Sequence, residues 1–295
     1  MQPSIDIVIP AAGRVADLLV LLQSLHDAGA ASVGAHVASI TVTDDRPSAD
    51  CAARIAECFP AVRYVHGPAR GPAANRNHGA RQGQAPWVLF LDDDCFADGD
   101  LVGAYAACRA GHAQADVFEG AIGPVGARPN GNHHAPLNLE GGCLWSCNLL
   151  LRRALFERIG GFDERFPFAC MEDVDLRERL RAAGAAIVFA REARVRHPWR
   201  SVSERELSRQ VISHAIYAAK HDDFVRIWTP LHALRMCRAR LRLYAAGGFG
   251  SIPWRRYGIV AFDLAGPFLL LAVTRIPGLR ARVDRRHRNV LPAGG

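Results

Sequence analysis

Apolar positions along the first ninety residues fall into short continuous runs separated by stretches of helical period. Ile5-Asp6-Ile7-Val8-Ile9 predicts a first strand, and Val15 to Ala28, with leucines at 18, 19, 21, 22 and 25, predicts a helix closed by Gly29. Val37 to Thr43 reads as a second strand opening onto Asp44-Asp45, Ala49 to Cys58 as a helix, and Val62 to Val65 as a third strand. Gly71-Pro72 starts a helix that runs through Arg81, and Trp87 to Leu91 is the fourth strand. Strands alternating with helices predict a doubly wound, mostly parallel α/β sheet, whose strands read as unbroken apolar runs because both faces are covered.

The rhythm then changes. Leu101 to Ala110 predicts a helix, Val117 to Ile122 and Cys143 to Leu151 predict strands, and a Pro/Gly/Asn/His-rich loop from Gly123 to Gly142 lies between them. A loop of that length suits an acceptor pocket. Arg153 to Ile159 reads as a short helix ended by Gly160-Gly161, and a further helix begins near Glu172, is apolar at Leu176 and Leu180, and closes at Gly184. Ser203 to His221 and Pro230 to Ala245 read as amphipathic helices.

Composition sets the outer bounds. At 295 residues, 49% apolar and 22% charged, the chain suits one large α/β domain plus a smaller appendage, read as residues 1–222 and 223–295. Nothing at the amino terminus reads as a leader, because the apolar run from Ile5 is short and interrupted by Asp6; a cytoplasmic protein is expected. Eight scattered cysteines lack structural-zinc spacing and are expected to be free thiols. From Phe224 onward thirteen Arg stand against Asp263 and Asp284, a balance of +11 that leaves −4 for residues 1–223. A basic tail with apolar content favours an anionic membrane surface over nucleic acid, placing the protein peripherally on the cytoplasmic face. Gly258 to Val273 is shorter than the about 20 residues of a crossing helix. An interfacial helix and a core-packed helix with a basic face both fit it.

Candidate chemistry concentrates where the fourth apolar strand breaks into Asp92-Asp93-Asp94. Ligands in open α/β sheets bind beyond the carboxyl ends of the strands. Alternation would project Asp92 and Asp94 together and turn Asp93 away. Two carboxylates on one side suit Mg2+ or Mn2+, which take further ligands from water and substrate phosphates, so a nucleoside-diphosphate compound is the expected substrate. Taken alone, an Asp-x-Asp is equally a solvated acidic loop, and Glu172, Asp173 and Asp175 are equally first-turn acids favoured by the helix dipole. No Gly-x-Gly-x-x-Gly and no Walker-type loop occurs, so neither a dinucleotide dehydrogenase nor a P-loop kinase is supported.

Order removes the ambiguity. Ile-Val-Ile-Pro-Ala-Ala-Gly-Arg, Val-Thr-Asp-Asp, Arg-Asn-His-Gly, Leu-Asp-Asp-Asp, Gly-Gly-Phe-Asp-Glu and Glu-Asp-Val-Asp-Leu follow one another between roughly residues 4 and 220. In this the chain resembles a family 2 glycosyltransferase. The resemblance implies a GT-A fold and a metal-dependent inverting transfer from a nucleotide-diphospho-sugar to a glycan or lipid-linked acceptor. It also implies roles: Pro10, Asp44, Asp45, Arg76, Asn77, Asp92 and Asp93 around the nucleotide-sugar, Asp94 as metal ligand with His197 nearby, and Asp173 as base with Glu172 as its alternative. Cys95 departs from the pattern, standing where another acid often follows. Two other classes compete. A sugar nucleotidyltransferase would want a glycine-rich, lysine-bearing loop after the first strand, and Pro10 to Arg14 offers one glycine and no lysine. A non-catalytic sugar-nucleotide sensor or membrane adaptor would not need Asp92, Asp94 and Asp173 intact.

Overall fold

The computed structural model describes residues 4–130, 133–201, 203–221, 229–246, 276 and 278. In chain order the elements are β1 (Ile5–Ala11), α1 (Val15–His36), β2 (Val37–Asp44), α2 (Ala49–Cys58), β3 (Val62–His66), α3 (Pro72–Ala80), β4 (Trp87–Leu91), β5 (Phe96–Ala97), α4 (Leu101–Gly111), β6 (Val117–Pro124), β7 (His133–His134), β8 (Asn148–Arg152), α5 (Arg153–Arg158), α6 (Glu172–Ala182), β9 (Ile187–His197), β10 (Arg200–Ser201), α7 (Glu204–Lys220) and α8 (Pro230–Ala246).

Eight strands form one sheet in the order β3-β2-β1-β4-β8-β6-β9-β5. β3, β2, β1 and β4 are parallel, β8 runs antiparallel to both β4 and β6, and β9 pairs parallel with β6. The doubly wound, mostly parallel expectation holds, and the antiparallel half enters through β8. In β9 the pairing jumps from Gly120↔Ala190 to Ala121↔Arg194, so Arg191 to Ala193 bulge out before the strand resumes and ends with His197 opposite Pro124.

Two departures from the expected elements have local causes. Helix α1 passes Gly29, which takes non-helical angles (φ −141°, ψ 18°) without ending the helical stretch, and Ser32 beyond it hydrogen-bonds the Asp100 carboxylate. The expected strand from Cys143 is absent until Asn148, because Gly141, Gly142 and Leu144 all have positive φ and cannot pair in a ladder. Helix α1 is also the one helix among the described residues long and apolar enough to cross a membrane, yet its Leu18, Leu21, Leu22 and Leu25 belong to the buried core.

Contacts divide the chain into two units: residues 1–126, 135–167 and 172–198 in the first, and residues 127–134, 168–171 and 199–295 in the second. The first holds the eight-stranded sheet. Its core is Ile5, Ile7, Ile9, Leu89, Leu91, Phe118 and Leu150 with the α1 leucines and Tyr105. Helix α3 lies so close to β1 and β2 that a Cβ on Gly79 would meet Val8 Cγ1 at 2.5 Å and Thr43 Cγ2 at 2.9 Å. The second unit contains the β7–β10 pair, α7 and α8; α8 buries Ala233, Cys237 and Tyr244 and exposes Leu231, Leu234 and Leu241. The apolar segment from Gly258 to Val273 lies outside the described residues.

One charge inside β1 is fully accommodated. Asp6 accepts from Ser39 Oγ (2.5 Å), Ala85 N (2.7 Å) and Arg153 Nη2 (2.8 Å), and Arg153 spends its other nitrogens on the Ala80 and Ala85 carbonyls. Breaking a buried pair from one side strands the other charge, which costs about 3–5 kcal/mol. Arg153→Met is expected to lower the urea-unfolding free energy by that order, and adding Asp6→Asn is expected to recover part of it; additive losses would show that the pair is not coupled.

Candidate active site

The chain leaves the ladder at Leu91, so Asp92, Asp93 and Asp94 lie on a turn closed by Cys95 N–H donating to the Asp92 carbonyl (3.1 Å). Strand alternation no longer governs them, and each carboxylate takes its own direction. Asp93 is the inward one, fully buried and bound by Arg14 from the β1–α1 loop through Nε (3.1 Å) and Nη2. Burial pushes the Asp93 carboxyl up to about 6, against the pull of Arg14. Asp92 accepts from Arg76 Nη2 at 2.7 Å. Asp94 instead meets His197 Nε2 at 3.1 Å. Among the described residues Asp94, Cys95 and His197 form a donor group whose ligand atoms all lie within 4.8 Å of one another, and the Asp92 charge also acts on His197.

The His197 ring is held from behind. Its Nδ1 lies 2.8 Å from the Pro198 carbonyl, which can only accept, so Nδ1 carries a proton and Nε2 is the atom offered to Asp94. A ligating imidazole is oriented by this kind of outer hydrogen bond. Burial lowers the His197 pKa, but the Asp94 hydrogen bond and charge outweigh it and leave it raised. The residues present fit a divalent ion, because the buried Asp94 and His197 donors converge.

A second cluster is built around Arg76. Helix α3 carries it inward, not to the surface: it is 4% exposed and bridges Asp92 to Glu172 Oε1 (3.1 Å), with its guanidinium 5.4 Å from the centre of the Phe162 ring. Burial opposes its charge, and the carboxylates of Asp92, Asp173 and Glu172 overcome that and raise its pKa. Glu172 Oε2 is buried without a hydrogen-bond partner among the described residues. Burial first, and the adjacent Asp173 second, push the Glu172 carboxyl up to about 8. Burial also raises Asp173, whose carboxylate accepts from Ser146 Oγ (2.8 Å) and Ser146 N–H (3.2 Å). Both acids are thus raised by burial, and the charge of each neighbouring carboxylate adds to the effect.

The remaining expected site residues hold the frame. Asp44 is buried and accepts from Gly13 N–H, Arg46 N–H and Tyr64 Oη at 3.2, 2.8 and 2.9 Å, and Asp45 accepts from Ala69 and Gly71 N–H at 2.9 and 3.0 Å. Pro10 lies within β1, paired with Thr43, rather than in the turn after it. Asn77 donates to the Phe162 carbonyl (2.8 Å) and Glu164 Oε1 (3.0 Å) and accepts from Phe162 N–H (2.9 Å), latching the Gly-Gly-Phe-Asp-Glu segment to α3.

Arg14, Ser146 and Glu119 were not among the expected site residues. Glu119, buried in β6, accepts from Asn138 Nδ2 (2.8 Å), Gly142 N–H (2.6 Å) and Leu144 N–H, fixing the left-handed loop that delivers Ser146 to Asp173. A lone acid inside the apolar run Val117 to Ile122 is a signal in the sequence that could have found it.

Residues 6–137 match the Glycosyl transferase family 2 profile. The N-acetylglucosaminyl-diphospho-decaprenol L-rhamnosyltransferase of Mycobacterium tuberculosis (strain ATCC 25618 / H37Rv) is 41% identical over 76 residues, 26% of this chain and 23% of that protein. Validoxylamine A glucosyltransferase of Streptomyces hygroscopicus subsp. jinggangensis (strain 5008) is 25% identical over 264 residues, 74% of this chain and 61% of that one. The chain spans less than two thirds of the length of both relatives. Among solved structures, S. aureus TarS 1-349 in complex with UDP-GlcNAc aligns with TM-score 0.55 and 17% identity over 97% of this chain and 87% of that one. Mannosyltransferase PcManGT from Pyrobaculum calidifontis in complex with GDP-Man and Mn2+ aligns with TM-score 0.52 and 14% identity over 98% and 81%. These structures share the fold.

A carboxyl raised in the folded state binds its proton more tightly there than in the unfolded chain, so folding loses stability as pH rises from the ordinary value of 4.5 to about 8. Glu172→Gln has no proton to lose in that window. Its unfolding free energy is expected to fall less than that of the wild type between about pH 5 and pH 8 in urea melts; an unchanged pH dependence would refute the raised carboxyl.

Proposed function

We propose that the chain, whose residues 6–137 match the Glycosyl transferase family 2 profile, transfers a sugar from a nucleotide-diphospho-sugar to an acceptor hydroxyl on a glycan or lipid-linked intermediate, with inversion and with Mg2+ or Mn2+. The observation that carries this reading is the convergence beyond the carboxyl end of β4 of two distinct groups, Asp94 with His197 and the Arg76–Asp92–Glu172–Asp173 network. One supplies ligands for a cation and the other supplies a base with a raised pKa. Metal dependence gains support from the converging Asp94 and His197 donors and from the Mn2+ that accompanies GDP-Man in the mannosyltransferase of the same fold. The lipid-linked acceptor is favoured by the rhamnosyltransferase relative, named for an N-acetylglucosaminyl-diphospho-decaprenol substrate. With such an acceptor the enzyme works at the cytoplasmic membrane face, and residues 223–295, with their Arg excess, form the extension that meets anionic headgroups.

In the proposed reaction Asp173, its carboxylate oriented by Ser146, takes the proton of the acceptor hydroxyl. The acceptor oxygen bonds to the anomeric carbon as the bond from that carbon to the diphosphate breaks, and the electron pair leaves on the diphosphate. A divalent ion held by Asp94 and His197 would neutralise charge on that diphosphate. No side chain attacks the sugar, so the configuration inverts in one displacement. Glu172 and Arg76 hold the charge around Asp173, and Asp44, Asp45 and Pro10 shape the nucleoside end with Arg76, Asn77, Asp92 and Asp93 behind it.

Thermal melts of the purified chain with Mn2+ and a panel of UDP-, GDP-, dTDP- and CDP-sugars test the reading directly. A donor at about 100 times its Kd adds about 2.7 kcal/mol to the folded state. One nucleotide class is expected to raise Tm, and Asp94→Ala is expected to lose the metal-dependent part of that rise. Asp173→Asn is expected to keep the donor-induced rise and lower kcat by about 100- to 10,000-fold in a transfer assay. No rise with any donor would overturn the transferase assignment, and full activity in Asp173→Asn would overturn its role as base.

A further inference from the structure

We propose that Asp94, Cys95 and His197 form a mixed carboxylate–thiolate–imidazole site that binds Zn2+, or an ion of similar softness, far more tightly than Mg2+ or Mn2+. The site overlaps the cation position of the proposed transferase reaction, so zinc and the hard ion exclude one another there; only this competition rests on the transferase reading.

The donor set is the first ground. Carboxylate, thiolate and imidazole are all zinc ligands, whereas Mg2+ wants oxygen and finds a single carboxylate in this triad. On nitrogen and sulfur donors Zn2+ outranks Mn2+. Geometry is the second. The three ligand atoms already lie within 4.8 Å of one another, with Asp94 Oδ1 and His197 Nε2 at 3.1 Å, so shifts of a few tenths of an ångström bring them inside the span of about 4.6 Å that zinc–ligand bonds of about 2.0–2.3 Å allow. Preorganisation is the third. The Pro198 carbonyl fixes the Nδ1–H tautomer that leaves Nε2 for a metal, and the hydrogen bond from Cys95 N–H to the Asp92 carbonyl fixes the backbone of the thiol.

Burial is the fourth: Asp94, Cys95 and His197 are 7%, 1% and 7% exposed, so an ion there would be largely shielded from solvent ligands. Binding would replace the His197–Asp94 hydrogen bond and displace the weak contact from Cys95 Sγ to the Cys147 carbonyl (3.9 Å). The thiol proton, and any proton on Nε2, would leave to solvent as the bonds to metal form, and no oxidation or reduction is involved.

Cobalt is the spectroscopic probe, because a thiolate bound to Co2+ gives an intense near-ultraviolet charge-transfer band that oxygen and nitrogen ligands do not. Titrating the metal-free full chain with Co2+ is expected to give this band at one equivalent, with Zn2+ abolishing it by displacement. Cys95→Ser is expected to lose the band. His197→Gln, which keeps all eight cysteines, is expected to weaken it sharply, so a variant that fails to fold does not leave the assignment undecided. Zinc affinity read by competition with a chromophoric chelator is expected to drop by about 100-fold or more in either variant, since loss of an outer hydrogen-bond partner alone already costs about 10- to 100-fold. Absence of a thiolate band in the wild type, or equal zinc affinity in wild type and Cys95→Ser, would overturn the site. Neither readout uses a sugar donor or acceptor, so a failed transferase reading would show in the melts with donor and leave this result standing or falling on its own.

Discussion

A buried guanidinium constrains everything around it. Arg76 cannot shed its charge, so the fold must surround it with enough negative charge to offset the loss of water, and it does so with Asp92, Glu172 and Asp173 drawn from two separate elements. That requirement ties the end of β4 to the first turn of α6, far apart in the chain. The same burial raises the pKa of both Glu172 and Asp173, and the neighbouring carboxylates, Asp173 for Glu172 and Asp92 for Asp173, raise them further against the pull of Arg76.

Arg14 plays the corresponding part on the other side of the acidic turn. It neutralises the deeply buried Asp93 while its own side chain is 45% exposed, and it also approaches Asp94 at 3.6 Å. The three consecutive aspartates therefore have three different electrostatic environments: one beside a buried arginine, one beside a half-exposed arginine and one beside an imidazole. A run of like charges becomes tolerable because the chain turns within it and gives each carboxylate a neighbour to offset it, Arg14 serving two of them.

Much of this was legible in the sequence. The alternation of apolar runs with helical stripes defined the parallel half of the sheet, and the break of an apolar strand into acids located the site, because both depend on local pattern. What escaped depends on partners distant in the chain. Arg76 has the sequence surroundings of a surface helix residue, and only the approach of Glu172 makes it internal. Strand β9 was hidden although its period is regular, with Ala193, Val195 and His197 buried and Arg194 and Arg196 exposed; its charged outer face obscured the inner one. The segment from Cys143 to Cys147 misled in the opposite sense, since its apolar residues are in a loop whose left-handed turns are held by Glu119 from another strand. Direction is the other hidden quantity: nothing local in Asn148 to Arg152 distinguishes an antiparallel strand from a parallel one.

The bulge in β9 carries information that its sequence does not announce. Three residues, Arg191 to Ala193, stand outside the pairing, and their number decides which side chain reaches the position opposite Pro124. With two residues outside the pairing and the earlier pairs kept, that position would fall to Arg196, and a permanent cation would stand against Asp94. With four it would fall to Pro198, which has neither a ring lone pair nor an N–H. The number of residues that this bend leaves unpaired therefore decides which side chain faces Asp94, although none of the three comes from the donor group.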